Sequence, residues 1–254
     1  MTVIHKEVYG QGPALVMIPG WGMHSGVWRD FARCLASRYQ VICLDLPGHG
    51  QSENIAPFSL ANIAEHLLNT IPVQKFNLLG WSLGTSVALA MADKHPDRLL
   101  SLTLLAGNPC FVQTADWPGV KPQLLDDFIQ QLADNPALTQ QRFLSLQVKG
   151  ALEARQQLQS LKAALRDSPP AVPAALLGGL NILKQHDLRP QLHRVPCPVH
   201  FIQGNCDALI PLACTTAVKT IQPNIHCHLL ENAGHAPFLS HSPALQAILF
   251  TTLS

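Results

Sequence analysis

Charge is scarce in this chain. Asp, Glu, Lys and Arg make up 13 % of its 254 residues, and the formal net charge is +1. A balance so near zero gives no chain-wide attraction to a polyanion, so no nucleic-acid partner is expected. Long apolar runs are also lacking. Hydrophobic residues reach 47 %, yet no run has the length that spans a bilayer, so no membrane partner is expected. The first residues carry His5, Lys6 and Glu7 and contain no signal-peptide core. Seven cysteines, at 34, 43, 110, 197, 206, 214 and 227, are scattered, and none forms a Cys-x-x-Cys pair. Such cysteines read as reduced thiols in a cytoplasmic protein. A chain of this length is one large α/β domain or two small ones. Its apolar share suggests a large core together with an apolar surface or cavity.

What the chain does have is one sharply punctuated turn. Gly80-Trp81-Ser82-Leu83-Gly84 has the form G-x-S-x-G. The apolar run Phe76 to Leu79 leads in as a short buried strand, and Thr85 to Lys94 leads out as a helix. Strand, tight turn and helix are the context this motif requires. The turn holds the serine in a strained conformation, and glycines two residues to either side remove the clash. The helix then aims its free N–H groups at the hydroxyl.

Other apolar runs fall on either side. Ala14 to Pro19 reads as a strand ending in Gly20-Trp21-Gly22. Val27 to Ser37 reads as a helix, and Tyr39 to Leu46 as a second strand closed by Pro47-Gly48-His49-Gly50. Leu60 to Thr70 is an amphipathic helix, and Leu99 to Ala106 a further strand. Strands alternating with helices imply an α/β fold with a mostly parallel sheet covered on both faces. From Phe111 to Asp187 the alternation stops. Helices are expected at Gln123 to Ala133, Thr139 to Val148, Ala151 to Arg166 and Pro173 to Gln185. This organisation predicts a core of residues 1–110 and 188–254, with 111–187 as an inserted helical lid in a single compact unit. Strands resume at Pro198 to Gln203 and Ile225 to Leu230.

A serine hydroxyl needs a histidine to take its proton and a carboxylate to orient that histidine. After Ser82 the chain offers Asp207, just past the strand ending at Gln203, and His235, just past the strand ending at Leu230. Order and placement favour Ser82, Asp207 and His235 as the catalytic set. Asp45 and Asp187 are rival carboxylates. Leu83 N–H, after the nucleophile, and Trp21 N–H, in the glycine loop, are the candidate oxyanion donors. The aromatics Trp21, Trp81 and Phe143 are candidates to line an acyl pocket. Ser52 lacks a following helix and reads as a turn serine. His226 and His228 share a strand face without a third ligand, so that stretch reads as solvated strand; no metal and no cofactor are expected. Arg155, Lys162 and Arg166, spaced seven and four apart, fall near one helix face. That face is either solvated or a docking site for an acidic partner.

These residues resemble the α/β-hydrolase family over nearly the whole chain. Within it, the chain is similar to the subfamily of pimeloyl-[acyl-carrier protein] methyl ester esterases of biotin synthesis. The likeness rests on Gly20-Trp21-Gly22, Asp45-Leu46-Pro47-Gly48, Gly80-Trp81-Ser82-Leu83-Gly84, Asn108-Pro109-Cys110-Phe111, Asp116-Trp117-Pro118-Gly119, Arg142-Phe143-Leu144-Ser145-Leu146-Gln147 and Gly234-His235-Ala236-Pro237-Phe238. The resemblance implies Ser82, Asp207 and His235 as the triad and Trp21 and Leu83 as oxyanion donors. It implies that Trp81, Phe143 and Gln147 lie near the substrate, and that Arg142 and Arg155 meet an acidic acyl-carrier protein. Leu138 and Gln159 stand where further basic residues are usual, and Pro19 where a histidine is usual.

The sequence thus predicts a monomeric serine carboxylesterase acting on a carrier-bound pimeloyl methyl ester. The alternatives are a general short-chain esterase or thioesterase, a menaquinone-pathway lyase on the same fold, and a non-catalytic ligand-binding homologue. Ser86 counts against the lyase, whose relatives tend to carry arginine there, and a serine nucleophile counts against a dehalogenase.

Overall fold

The computed structural model describes residues 2–253. In chain order its elements are β1 (Lys6–Tyr9), β2 (Ala14–Ile18), a 3-10 turn (Ser25–Trp28), α1 (Arg29–Leu35), β3 (Gln40–Leu44), α2 (Leu60–Thr70), β4 (Phe76–Trp81), α3 (Leu83–Lys94) and β5 (Leu99–Leu105). There follow α4 (Pro122–Asp134), α5 (Pro136–Gln147), α6 (Ala154–Arg166), α7 (Pro173–Gln185), α8 (Arg189–Arg194), β6 (Val199–Gly204), α9 (Cys214–Ile221), β7 (His226–Leu230), α10 (Pro237–Ser240) and α11 (Ser242–Thr252). No helix among the described residues is long and apolar enough to cross a membrane.

The strands form one seven-stranded sheet in the order β1-β3-β2-β4-β5-β6-β7. All pairs are parallel except β1 with β3. Every residue of β2 and β4 is buried, as a parallel strand covered on both faces requires. Alternate side chains divide between two apolar clusters. Val16, Ile18, Leu78 and Leu104 face one, with α2 and α3; Leu15, Met17, Leu79 and Leu105 face the other, with α1 and α11. Helix α3 is buried from Leu83 to Leu89 and again at Met91 and Ala92, as its run of small and apolar residues allows; its charged residues, Asp93 and Lys94, lie exposed at the last turn.

The segment 111–187 contributes no strand to the sheet. A bridge between Cys110 and Asp187 draws its two ends together. Proline opens α4, α5 and α7, where its missing N–H costs nothing. Helix α5 begins at Pro136 rather than at Thr139, because the Asn135 side chain caps it, accepting from Leu138 N at 3.0 Å. Helix α6 starts at Ala154 rather than at Ala151, because Gly150 and Glu153 take positive φ angles of 80° and 56°. The segment is stitched to core loops: Val172 N donates to Gly48 O at 2.8 Å, and Leu188 N to Pro109 O at 2.7 Å.

Candidate active site

Strand β4 ends at the centre of the sheet, and Ser82 follows with φ 55° and ψ −118°. That strained backbone survives because its flanks are glycine. A Cβ on Gly80 would lie 2.2 Å from Gly84 O, and one on Gly84 would lie 2.4 Å from Ile18 O. Ser82 N donates to Leu105 O at 3.1 Å, and Thr85 Oγ1 to Gly80 O at 3.0 Å, which fixes both sides of the turn.

Ser82 Oγ lies 2.8 Å from His235 Nε2. The other ring nitrogen, Nδ1, lies 2.8 Å from Asp207 Oδ2. Ser82 is 2 % exposed, and the His235 and Asp207 side chains are fully buried. A carboxylate only accepts, so Nδ1 carries the proton and Nε2 presents its lone pair to the serine hydroxyl. Asp207 Oδ1 is held in turn by Leu209 N at 2.8 Å and Ile210 N at 3.1 Å. The two loops press together at Gly204, where a Cβ would lie 2.2 Å from Ala233 O. The His235 backbone is fixed at both ends: its N–H donates to Gln147 O at 3.2 Å, and its carbonyl accepts from Trp81 Nε1 at 2.7 Å. Such an array can take a proton from a buried hydroxyl and return it to a leaving group.

The rival carboxylates are engaged elsewhere. Asp45 accepts from Ser25 N at 2.6 Å and Gln51 N at 2.8 Å, tying two loops together. Asp187 pairs with Arg189, whose hydrogen bonds hold its carboxyl below the usual range. Ser52 Oγ accepts from His5 N at 2.9 Å, a structural tie.

Trp21 is buried beside this turn. A Cβ on the preceding Gly20 would lie 3.1 Å from Ser82 Cβ, so the Gly20–Trp21 backbone passes close to the serine. Leu83 opens α3, and first-turn N–H groups have no intrahelical acceptor. The Trp21 ring lies 4.7 Å from that of Phe143, and its Nε1 donates to Leu176 O at 2.8 Å. Gln147 is fully buried, and neither its Nε2 nor its Oε1 has a hydrogen-bond partner. The structure puts Trp81 on the other side of the sheet from Trp21 and Phe143. Its ring meets Trp28 and Phe238 in the second apolar cluster. Arg142 and Arg155 are exposed on α5 and α6, and Arg142 Nη1 donates to Gln131 Oε1 at 2.7 Å.

His226 and His228 do not stand alone on their strand face: a third imidazole packs against them. His200, on β6, is 5.2 Å from the His226 ring and 5.8 Å from that of His228. Only the register of β6 against β7 brings it there. Burial, then its two neighbours, push His200 down to about 4. Among the described residues no group of three potential ligands could hold a metal ion.

A sequence model of the alpha/beta hydrolase fold family matches residues 13–242. This chain belongs to the α/β-hydrolase family. The hydrolase is 40 % identical over 241 residues to the pimeloyl-[acyl-carrier protein] methyl ester esterase of Nitrosomonas europaea, covering 94 % of this chain and 95 % of that one. It is 41 % identical over 240 residues to the protein of the same name from Aeromonas hydrophila, covering 94 % of each. With that from Salmonella newport it shares 38 % over 255 residues, covering 100 % and 99 %. Among solved structures, an esterase from Exiguobacterium antarcticum superposes with a TM-score of 0.84 at 21 % identity, covering 98 % of this hydrolase and 95 % of that chain. An enol-lactonase from Burkholderia xenovorans also reaches 0.84, at 18 % identity, covering 98 % and 96 %. Both share the fold.

Proposed function

We propose that this α/β hydrolase is a serine carboxylesterase that removes the methyl ester from pimeloyl-[acyl-carrier protein] in biotin synthesis. The hydrogen-bonded chain from Ser82 through His235 to Asp207, 2.8 Å at each link, is the observation that carries the chemistry. The substrate is inferred from the relatives at about 40 % identity over nearly the full chain.

Ser82 Oγ attacks the ester carbonyl while His235 Nε2 takes its proton. The oxyanion is held by the N–H groups of Leu83 and Trp21. His235 returns the proton to departing methanol, and Asp207 stabilises the imidazolium between the two transfers. Water then cleaves the acyl-enzyme with His235 as base. Trp21 and Phe143 supply apolar wall for the acyl chain, and the Gln147 amide is available to a polar atom of it. Trp81 acts through His235, whose carbonyl it holds. The helices of 111–187 serve as a lid, and Arg142 and Arg155 attract the acidic carrier.

A general esterase for free short-chain esters is the second reading. Leu138, 42 % exposed, and the exposed Gln159 favour it, since each leaves the lid one cation short of the subfamily pattern. Release of methanol from the carrier-bound methyl ester, compared with a free short-chain ester, separates the two. No cleavage of the carrier-bound ester rejects the proposed substrate.

A further inference from the structure

Helix α5 touches both of the loops that flank Ser82. Gln140, Phe143 and Gln147 recur at spacings of three and four, so they lie along one side of the helix. Gln147 ends α5, and its backbone carbonyl, one of the four without an intrahelical donor, accepts from His235 N at 3.2 Å. Two turns earlier, the Gln140 amide donates to the carbonyl of Gly22, the residue after Trp21. Between these two ties the Phe143 ring lies 4.7 Å from that of Trp21. One helix of the segment 111–187 thus holds the His235 loop and the loop after β2 together.

The loop after β2 has little of its own to hold it. Residues 20–23 make a turn, closed by Met23 N donating to Gly20 O at 3.2 Å, with Gly22 at φ 70°. Glycine takes that angle freely, as the third position of a type II turn asks. Pro19 enters the turn with neither an N–H nor a polar side chain. Among the described residues, both side-chain hydrogen bonds of residues 19–22 run to the helices of 111–187: Gln140 to Gly22 O, and Trp21 Nε1 to Leu176 O at 2.8 Å. The packing there is close as well. A Cβ on Gly22 would lie 3.0 Å from Gln140 Nε2, and one on Gly179 of α7 would lie 2.7 Å from Trp21 Cδ1. Gly22 is buried, so its carbonyl needs a donor, and Gln140 supplies it. The Trp21 N–H, by contrast, meets no acceptor among the described residues.

We propose that Gln140 is a positioning residue for the oxyanion site: by holding Gly22 O it fixes the turn that presents the Trp21 N–H beside Ser82. This role rests on the serine-esterase reading above, and adds that the helices of 111–187 complete the reacting site as well as cover it. Without the amide, the Gly22 carbonyl is left unpaired in a buried place, and the turn is free to rotate about a glycine, which has the widest choice of backbone conformations. The Trp21 donor then spends less time at the roughly 2.7–3.1 Å that an oxyanion requires. The loss falls mainly on the transition state, because a neutral ester carbonyl draws less on the same donors than the oxyanion does. It is therefore independent of the acyl chain.

The test compares wild type with Gln140→Met, which removes the donor at similar volume, and Gln140→Glu, which keeps the shape and sets an acceptor against Gly22 O. Steady-state kinetics are read with p-nitrophenyl acetate, which has no acyl chain to pack on Phe143, and with the carrier-bound methyl ester. In Gln140→Met, kcat is expected to fall by about tenfold on both esters with KM nearly unchanged, short of the roughly 10²–10³ that outright loss of an oxyanion donor costs. Gln140→Glu is expected to fall at least as far, with circular dichroism showing the fold retained in both. A short trifluoromethyl ketone gives a second readout. Ser82 Oγ bonds to its carbonyl carbon, the carbonyl electron pair moves to the oxygen, and the serine proton passes to His235, which leaves an oxyanion on the same donors. Its Ki is expected to rise by the factor by which kcat falls. A role confined to packing would raise KM or lower the melting temperature and leave kcat and this Ki in place. An unchanged kcat in Gln140→Met, or a wild-type kcat in Gln140→Glu, overturns the positioning role. A wild type that cleaves only the free ester, with both variants impaired, rejects the carrier-bound substrate alone. One that cleaves both esters, with neither variant impaired, rejects the positioning role alone, and one inert toward both rejects both.

Discussion

The indole Nε1 of Trp81 donates to the backbone carbonyl of His235 at 2.7 Å, joining the residue before the candidate nucleophile to the candidate base. Both ends of the bond are buried, so its loss leaves a carbonyl without a partner. The Trp81→Phe enzyme keeps a ring against Trp28 and Phe238 and lacks only the donor. Its kcat is expected to fall by about tenfold with KM nearly unchanged, because a shift of the imidazole acts on the chemical step. Steady-state kinetics with the carrier-bound ester check this; an unchanged kcat contradicts the positioning role.

Two buried aspartates separate catalysis from architecture. In Asp207→Asn the amide forces His235 toward the wrong tautomer, so kcat is expected to fall by about 10⁴-fold with little loss of stability. In Asp45→Asn the carboxylate that accepts from Ser25 N and Gln51 N is weakened. That variant is expected to lose several degrees of melting temperature while kcat stays close to wild type. Thermal denaturation and kcat on both variants test the assignment, and the reverse pattern would make Asp45 the functional carboxylate.

Gln147 offers a trade between stability and binding. Its amide is buried without a partner, which costs about 1–3 kcal/mol. Gln147→Met has a similar volume and no such group, so it is expected to raise the melting temperature by several degrees. If the amide meets substrate, the same variant raises KM for the carrier-bound ester. A lower melting temperature with KM unchanged would mean that the amide has a structural partner instead.

His200, His226 and His228 make an acid-sensitive edge of the sheet. His200 is lowered to about 4 in the folded protein, below the ordinary value of 6.5, first by burial and then by the other two rings. His228 is lowered too, by burial and by His226. A folded-state value below the unfolded one means that the unfolded chain binds more protons in between. Stability is therefore full above about pH 6.5 and falls as the pH drops toward 4. His200→Leu is expected to flatten that fall. Equal slopes of stability against pH in the two proteins would show that the cluster does not set the acid sensitivity.

Much of the architecture was legible because period and punctuation agree. Leu60 to Thr70 and Pro173 to Gln185 are helices with the expected bounds. The strands leading to Ser82, Asp207 and His235 are where their apolar runs lie. What stayed hidden has particular physical causes. Strand β1 alternates exposed and half-buried residues at the sheet edge and has no apolar run to announce it. Helix α9, Cys-Thr-Thr-Ala-Val-Lys-Thr-Ile, is rich in β-branched residues and reads as strand until its packing is known. The spacing of Lys162 and Arg166 was visible, but not that they line a cavity of which core loops at 22–24 and 49–50 form the other side. Nothing in Pro47-Gly48-His49-Gly50 signals that its imidazole is fully buried, with Nε2 lacking a hydrogen-bond partner.

The central claim is tested most directly by methanol release from pimeloyl methyl ester on intact acyl-carrier protein, beside a free short-chain ester, for wild type and Ser82→Ala. A strong preference for the carrier-bound ester is expected, with a fall of about 10⁴-fold or more in Ser82→Ala. The preference should weaken when salt is raised, as attraction between exposed charges does. Equal cleavage of both esters would keep the serine chemistry and contradict the carrier-bound substrate. Undiminished turnover by Ser82→Ala would contradict the mechanism itself.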